Sequence, residues 1–134
     1  MAETFELEVA TPERLLVREP VEEAEIPLTN GYIGVLPRHA PLLGEVGAGD
    51  LSYSAEGRRR HMAVAGGFVE VTWGHVRVLV DSAERADDID LARAEASRQR
   101  ALDRLSSPKQ DLDVARALRA LERAQARVDA AKNK

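Results

Sequence analysis

The sequence predicts an α+β protein, with an antiparallel β-sandwich over residues 1–85 followed by an antiparallel two-helix hairpin over residues 86–134. Three observations predict it. Apolar residues recur at every second position through the first part, which is the period of a half-buried strand. All 9 glycines and every proline but Pro108 lie before residue 75, so turns are confined to that part. The charge also divides there. Residues 1–84 hold 14 acids against 7 Lys+Arg (net −7), whereas residues 85–134 hold 9 against 12 (net +3).

Taken in order, Phe5, Leu7 and Val9 alternate with Glu6, Glu8 and Ala10. Ala24, Ile26 and Leu28 alternate with Glu23, Glu25 and Pro27, and the proline suggests an edge or a strand end. Leu51, Tyr53 and Ala55 alternate with serines, Met62 and Val64 form a short run, and Val69 and Val71 lead through Trp73-Gly74 to Val76, Val78 and Val80. Turns are expected at Asn30-Gly31, Gly49-Asp50, Glu56-Gly57, Gly66-Gly67 and Trp73-Gly74. Short strands so spaced suggest a sandwich or flattened barrel.

From Asp87 onward there is no glycine, and alanine and arginine, both strong helix formers, dominate. Asp87 and Asp88 are expected to cap the first helix and Asp111 the second, with a break at Ser106-Ser107-Pro108. Val114, Leu118, Leu121, Gln125 and Val128 step by four and three residues, as in a narrow helical seam. IDLARA at Ile89–Ala94 recurs as LDVARA at Leu112–Ala117. Either the hairpin is an internal repeat, or two Ala/Arg-rich helices coincide by composition. With few large aliphatics to hold the helices together, the hairpin is expected to be marginal and able to open without melting.

Composition excludes several functions. The chain has no cysteine, so there is no disulfide, thiolate nucleophile or cysteine zinc site. No apolar run approaches the ~20 residues of a membrane helix, and the acidic N-terminus is unlike a signal peptide. Five aromatic residues do not make a base-stacking surface, which argues against a nucleic-acid partner. No phosphate loop, nucleophile elbow or zinc-helix motif is present. His39, His61 and His75 lie far apart in sequence, and no metal site or catalytic constellation is expected.

One segment stands out. Gly31–Leu43 (GYIGVLPRHAPLL) carries two glycines, two prolines and few charges, which suits either a rigid docking tip or a tight crossover between strands. This run, together with GGFVEV at Gly66–Val71, VLVDSAE at Val78–Glu84 and ADDID at Ala86–Asp90, resembles the epsilon subunits of bacterial rotary ATP synthases over essentially the whole chain. The resemblance implies a ten-stranded sandwich and a helical hairpin. It also implies a non-catalytic rotor subunit on the central stalk that binds the gamma subunit and the ring of c subunits, couples proton flow to ATP synthesis, and sits at the cytoplasmic side of a bacterial membrane only through the complex.

By the same resemblance the hairpin leaves the sandwich, extends along gamma toward an acidic segment of the beta subunits, and inhibits ATP hydrolysis. Residues 91–134 carry 11 Lys+Arg against 6 acids, which suits an acidic partner. Contact with the c ring and gamma is carried over to Asn30, Gly31, His39, Ala40 and Pro41. No cofactor is required. Some relatives bind a regulatory ATP through [IL]-D-x-x-R-A, which Ile89, Asp90, Arg93 and Ala94 match, with phosphate contacts carried over to Arg100, Arg123 and Arg127 and a base contact to Glu84. A carboxylate accepting from the adenine amino group and arginines pairing with phosphate would make such a site. The alternative is that Asp90 and Arg93 only cap and pair the helix start. A free nucleotide-sensing adaptor and a nucleic-acid binder are the competing functions; the first has no use for the rigid loop, and the acidic sandwich and few aromatics disfavour the second.

Overall fold

The computed structural model describes residues 3–107 and 111–134, so the helix-breaking role expected of Pro108 lies outside the described residues. Eight strands precede two helices: β1 (Phe5–Ala10), β2 (Leu15–Val21), β3 (Glu23–Leu28), β4 (Gly31–Val35), β5 (Leu42–Val46), β6 (Gly49–Ala55), β7 (Arg58–Thr72), β8 (His75–Arg85), α1 (Leu91–Ser106) and α2 (Val114–Asn133).

The strands run in the order β2-β1-β8-β7-β5-β3-β4, and β6 bridges β3 and β7. All pairs are antiparallel except β1 with β8. The expected alternation is realised in β1, where Phe5, Leu7 and Val9 are buried. With Ile26, Leu51, Met62, Val64 and the valines of β7 and β8 they form the sandwich core.

Among the described residues there are eight strands rather than ten, and one long strand, β7, serves two neighbours in turn. Its residues 58–64 pair with β6 and its residues 67–71 with β5. Gly66-Gly67 is therefore a bend inside one strand, not a turn between two. At Gly67, φ is +138°, and a Cβ there would meet the Leu79 carbonyl oxygen at 2.0 Å. Only glycine lets β7 change partners while staying bonded to β8.

Other expectations shift by a few residues. Pro27 is not on an edge strand, since β3 lies between β4 and β6; it stands one residue from the end of β3. The turn expected at Gly49-Asp50 falls at Gly47-Ala48, and Asp50 sits within β6. Glu56 (φ +52°) and Gly57 (φ +76°) form a two-residue turn of the I′ type, whose twist matches the strands it joins.

The helices are capped by residues other than those expected. Asp90 accepts from the Arg93 amide at 3.1 Å and Asp113 from the Arg116 amide at 3.0 Å. Asp87 and Asp88 lie instead in a short 3-10 turn. The two caps are 23 residues apart, the offset of the repeat. Ala94 and Ala117, and likewise Ala101 and Ala124, are buried at that offset. The repeat thus places equivalent caps and equivalent small contacts on the two helices.

The seam is also corrected. Val114 and Leu118 are 50% and 44% exposed, while Ala117, Ala124, Ala126, Val128, Ala130 and Ala131 are buried. Alanine occupies most of the contact face of α2, and Val128 is the member of the expected seam buried there.

Candidate functional site

Three features of the surface bear on function: the junction of hairpin and sandwich, a cleft on the hairpin, and one end of the sandwich. At the junction α2 lies across β6 and β7. The apolar cluster there holds Ala63, Ala86, Ile89, Ala94, Ala126, Val128, Ala130 and Ala131, six of the eight being alanine. A buried methyl contributes about 0.8 kcal/mol, so six alanines together match roughly two fully buried leucines. The hairpin is therefore seated on a dry but shallow interface. α2 also covers the face of β6 that the serine alternation had assigned to water, burying Ser52 and Asp50.

Beside the junction a cleft of about 300 Å³ is lined by Glu84, Asp88, Ile89, Asp90, Arg93, Ala94, Ser97, Arg100 and Arg127. Seven of the eight residues singled out in sequence thus line one concavity. Arg123 does not; it borders a neighbouring cleft of about 240 Å³ that shares Glu84 and Arg127. The positions follow from the fold. The end of β8 supplies Glu84, the 3-10 turn Asp88, the first and third turns of α1 Arg93 and Arg100, and α2 crosses so that Arg127 faces Glu84.

Charge in the cleft is balanced: three arginines meet Glu84, Asp88 and Asp90. Arg127 Nε is 3.1 Å from Glu84 Oε1, and Arg100 donates to Ser97 Oγ at 2.9 Å. Ser97 and Asp88 were not read from sequence as members of this cleft, because neither belongs to the motif. Ile89 and Ala94 also belong to the junction's apolar cluster, so they have a packing role whatever the cleft holds.

The residues expected to dock on a partner do not form one loop. Gly31–Val35 is strand β4, with Gly31 opposite Leu28 across a turn at Thr29-Asn30. His39, Ala40 and Pro41 follow the far end of that strand, five residues or ~17 Å away. His39 donates its backbone N–H to the Leu36 carbonyl at 3.1 Å, and its ring contacts the Ala40 carbonyl at 2.7 Å. Arg38 adopts φ +70° and bonds Glu3 at 2.8 Å. Leu42 pairs with Val71, which brings this loop beside the β7–β8 turn and its Trp73.

Leu36, Leu43 (72% exposed) and Trp73 (68% exposed) are open to water at this end of the sheet. Sequence reading took Trp73 as part of a turn; a large apolar ring at a turn tip was the available signal. A second apolar strip crosses the outer sheet face, where Ala10 and Phe68 flank Leu79 on adjacent strands. Among the described residues, no group of His, Cys, Asp and Glu could hold a metal ion, and no helix is long and apolar enough to cross a membrane.

Two family models match the chain in tandem. They are the β-sandwich domain of the ATP synthase delta/epsilon chain over residues 4–86 and its long α-helix domain over residues 87–132. The chain belongs to the ATP synthase delta/epsilon-chain family. It is therefore a non-catalytic subunit of a larger enzyme. The ATP synthase epsilon chain of Solibacter usitatus is 53% identical over 134 residues, covering 100% of both chains. That of Koribacter versatilis is 45% identical over 107 residues, 80% of this chain and 75% of the relative.

Among solved structures, a chain of the Euglena gracilis mitochondrial ATP synthase (OSCP/F1/c-ring) superposes with a TM-score of 0.81 at 24% identity, covering 92% of this chain and 78% of that one. A chain of the Tetrahymena thermophila mitochondrial ATP synthase central stalk and c-ring gives 0.58 at 14% identity, over 98% and 96%. These two likenesses concern the fold.

Proposed function

We propose that this chain is the rotor-stalk epsilon subunit of a proton-translocating ATP synthase, coupling proton flow to ATP synthesis at the cytoplasmic side of a bacterial membrane. Its hairpin restrains ATP hydrolysis when it leaves the sandwich. The observation that carries this reading is the alanine interface. The hairpin rests on the sandwich through methyl groups, while Leu102, Val114 and Leu118 stay exposed on its outer part. Two capped helices with little holding them down can detach as helices. Once free, their net +5 charge suits an acidic segment of the beta subunits.

The sandwich is the docking platform. The exposed end with Leu36, Leu43 and Trp73, beside His39, Ala40 and Pro41, suits the c ring. The Leu79–Phe68 strip suits gamma. Asn30 and Gly31 stand at the opposite end of β4 and cannot share one small contact with His39–Pro41.

A regulatory ATP in the cleft at Arg93, Arg100 and Arg127 would join the two helices, with Arg123 within reach of the phosphates only from the adjoining cleft. Ligand at 100 times its Kd adds about 2.7 kcal/mol to the state that binds it, enough to bias a shallow interface. Glu84 already neutralises Arg127, so nucleotide must displace that carboxylate. Calorimetric titration tests the site: ATP binding is expected, with loss on Arg93→Ala, and no heat at millimolar ATP removes it.

The release itself is tested in the assembled enzyme. The chain has no cysteine of its own, so one cysteine beside Ala48 and one on the Ala126–Ala131 face of α2 can form a single disulfide. ATP hydrolysis is expected to be faster in the locked form than after reduction. Equal rates overturn the regulatory reading while leaving the platform role standing.

A further inference from the structure

Asp50 is an acid at 7% exposure beneath the end of α2. Its side chain accepts from Asn133 Nδ2 at 3.0 Å, and the His61 imidazole meets its two oxygens at 2.9 and 3.2 Å. Its backbone N–H donates to the Tyr32 hydroxyl at 3.0 Å. Asp50 and His61 are both on the sandwich, in β6 and β7; His61 stands opposite Ser52, two positions along the ladder from Asp50. Asn133 is, among the described residues, the hairpin group bonded to the carboxylate.

This is an odd residue to find under a docking helix. Most of the interface is alanine, with Ile89 and Val128, and a buried carboxylate is tolerated only when its oxygens are bonded. When α2 is seated, Asn133 completes that bonding. When α2 leaves, the pair with His61 stays behind and water replaces the amide, so the released state carries no penalty. A slip of α2 by one turn, four residues, would bring Ala126 to the place of Ala130, yet it would carry Asn133 about 6 Å along the helix axis and break its bond to the carboxylate.

We infer that Asp50 is a register lock for the hairpin and Asn133 its key: their bond makes docking all-or-none in one seating on an otherwise featureless surface. Buried polar groups have their best-attested use in such selection of register. The inference rests on the proposed release of the hairpin and names what governs it. The lock lies at the end of α2, whereas the arginine cleft involves Arg127 and the start of α1, so it acts without nucleotide.

The test uses the full chain without ATP, with dyes on cysteines placed at the exposed positions Glu13 on the sandwich and Arg116 on α2. Single-molecule energy transfer then reports docked and released populations. Asn133→Ala is expected to lower the docked-to-released ratio about tenfold, because it removes a hydrogen bond to a charged acceptor while the His61 contacts remain. In an Asp50→Ala background Asn133→Ala is expected to leave the ratio unchanged, because the bond it would remove is already gone. A helix end that merely packs would lose the same amount in both backgrounds.

An unchanged ratio in Asn133→Ala overturns the lock, as does the same tenfold loss from Asn133→Ala in the Asp50→Ala background. Asn133→Ala alone tests the lock if Asp50→Ala fails to fold. A single transfer efficiency that neither variant nor mild denaturant splits into two populations overturns the release of the hairpin itself, which is a separate outcome.

Discussion

Gly67 is the residue on which the sandwich turns. With φ at +138° and the Leu79 carbonyl oxygen where a Cβ would sit, any side chain forces β7 away from β8. Gly67→Ala is expected to cost at least ~3 kcal/mol, read as a lower midpoint in urea unfolding, because it combines backbone strain with loss of strand pairing. A loss below 1 kcal/mol would show that β7 bends elsewhere. Tyr53 gives a second prediction at this scale. Burial raises its phenol pKa above the ordinary 10.0, Glu19 adds to this, and Arg60 and Arg85 oppose it. The folded state therefore holds the phenolic proton more tightly than the unfolded chain. The stability it contributes is full below pH 10 and is lost as pH rises through the folded value. Tyr53→Phe should flatten the fall in stability above pH 10; an equally steep fall in that variant would assign it to other groups.

At the scale of elements, the helices are set by their ends and their small residues. Asp90 and Asp113 do the same work 23 residues apart, each capping the first turn of its helix. Asp113→Ala, which lies outside the arginine cleft, is expected to cost ~1 kcal/mol of helix stability, seen as reduced far-ultraviolet helical signal on warming. No change would mean that packing alone fixes the start of α2. The sequence carried this repeat openly, but it misdirected the choice of cap. Asp87, Asp88 and Asp90 are all good capping residues by type, and only the path of the chain off β8 decides that Asp90 is the last extended residue before α1. The seam failed for a related reason. Large aliphatics in a 4-3 pattern are the stronger apolar signal, yet alanines let the helices lie closer, and Val114 and Leu118 were left outside the contact that Val128 joins.

At the scale of the whole molecule, a strand-built body with an aliphatic core carries an appendage held by methyl groups, one buried polar bond and exposed ion pairs such as Lys134–Asp87 at 3.7 Å. Exposed pairs of this kind contribute at most about 1 kcal/mol. The two parts should therefore loosen separately. Brief trypsin treatment is expected to cut first at the arginines of α1 and α2 and to leave the sandwich intact, since local opening governs cleavage. Simultaneous loss of both parts would show one cooperative unit. Much of the candidate cleft was legible beforehand because its members lie on a short motif and on helix positions of fixed period. Ser97, Asp88 and the exposed Trp73 were not, because their relevance depends on which neighbours the fold delivers.

The sequence by itself determined the two-part plan, the strand faces, the helical repeat and the arginines of the cleft. Each is written in local period, turn chemistry or charge, and these act between residues close in the chain. Only the tertiary structure decided that β7 serves two neighbours, that the polar side of β6 is roofed by α2, and that Asp50, His61 and Asn133 meet. Those facts join positions as far as 83 residues apart. A carboxylate facing water and one facing a helix have the same alternation in sequence, and burial is settled only when the second element arrives.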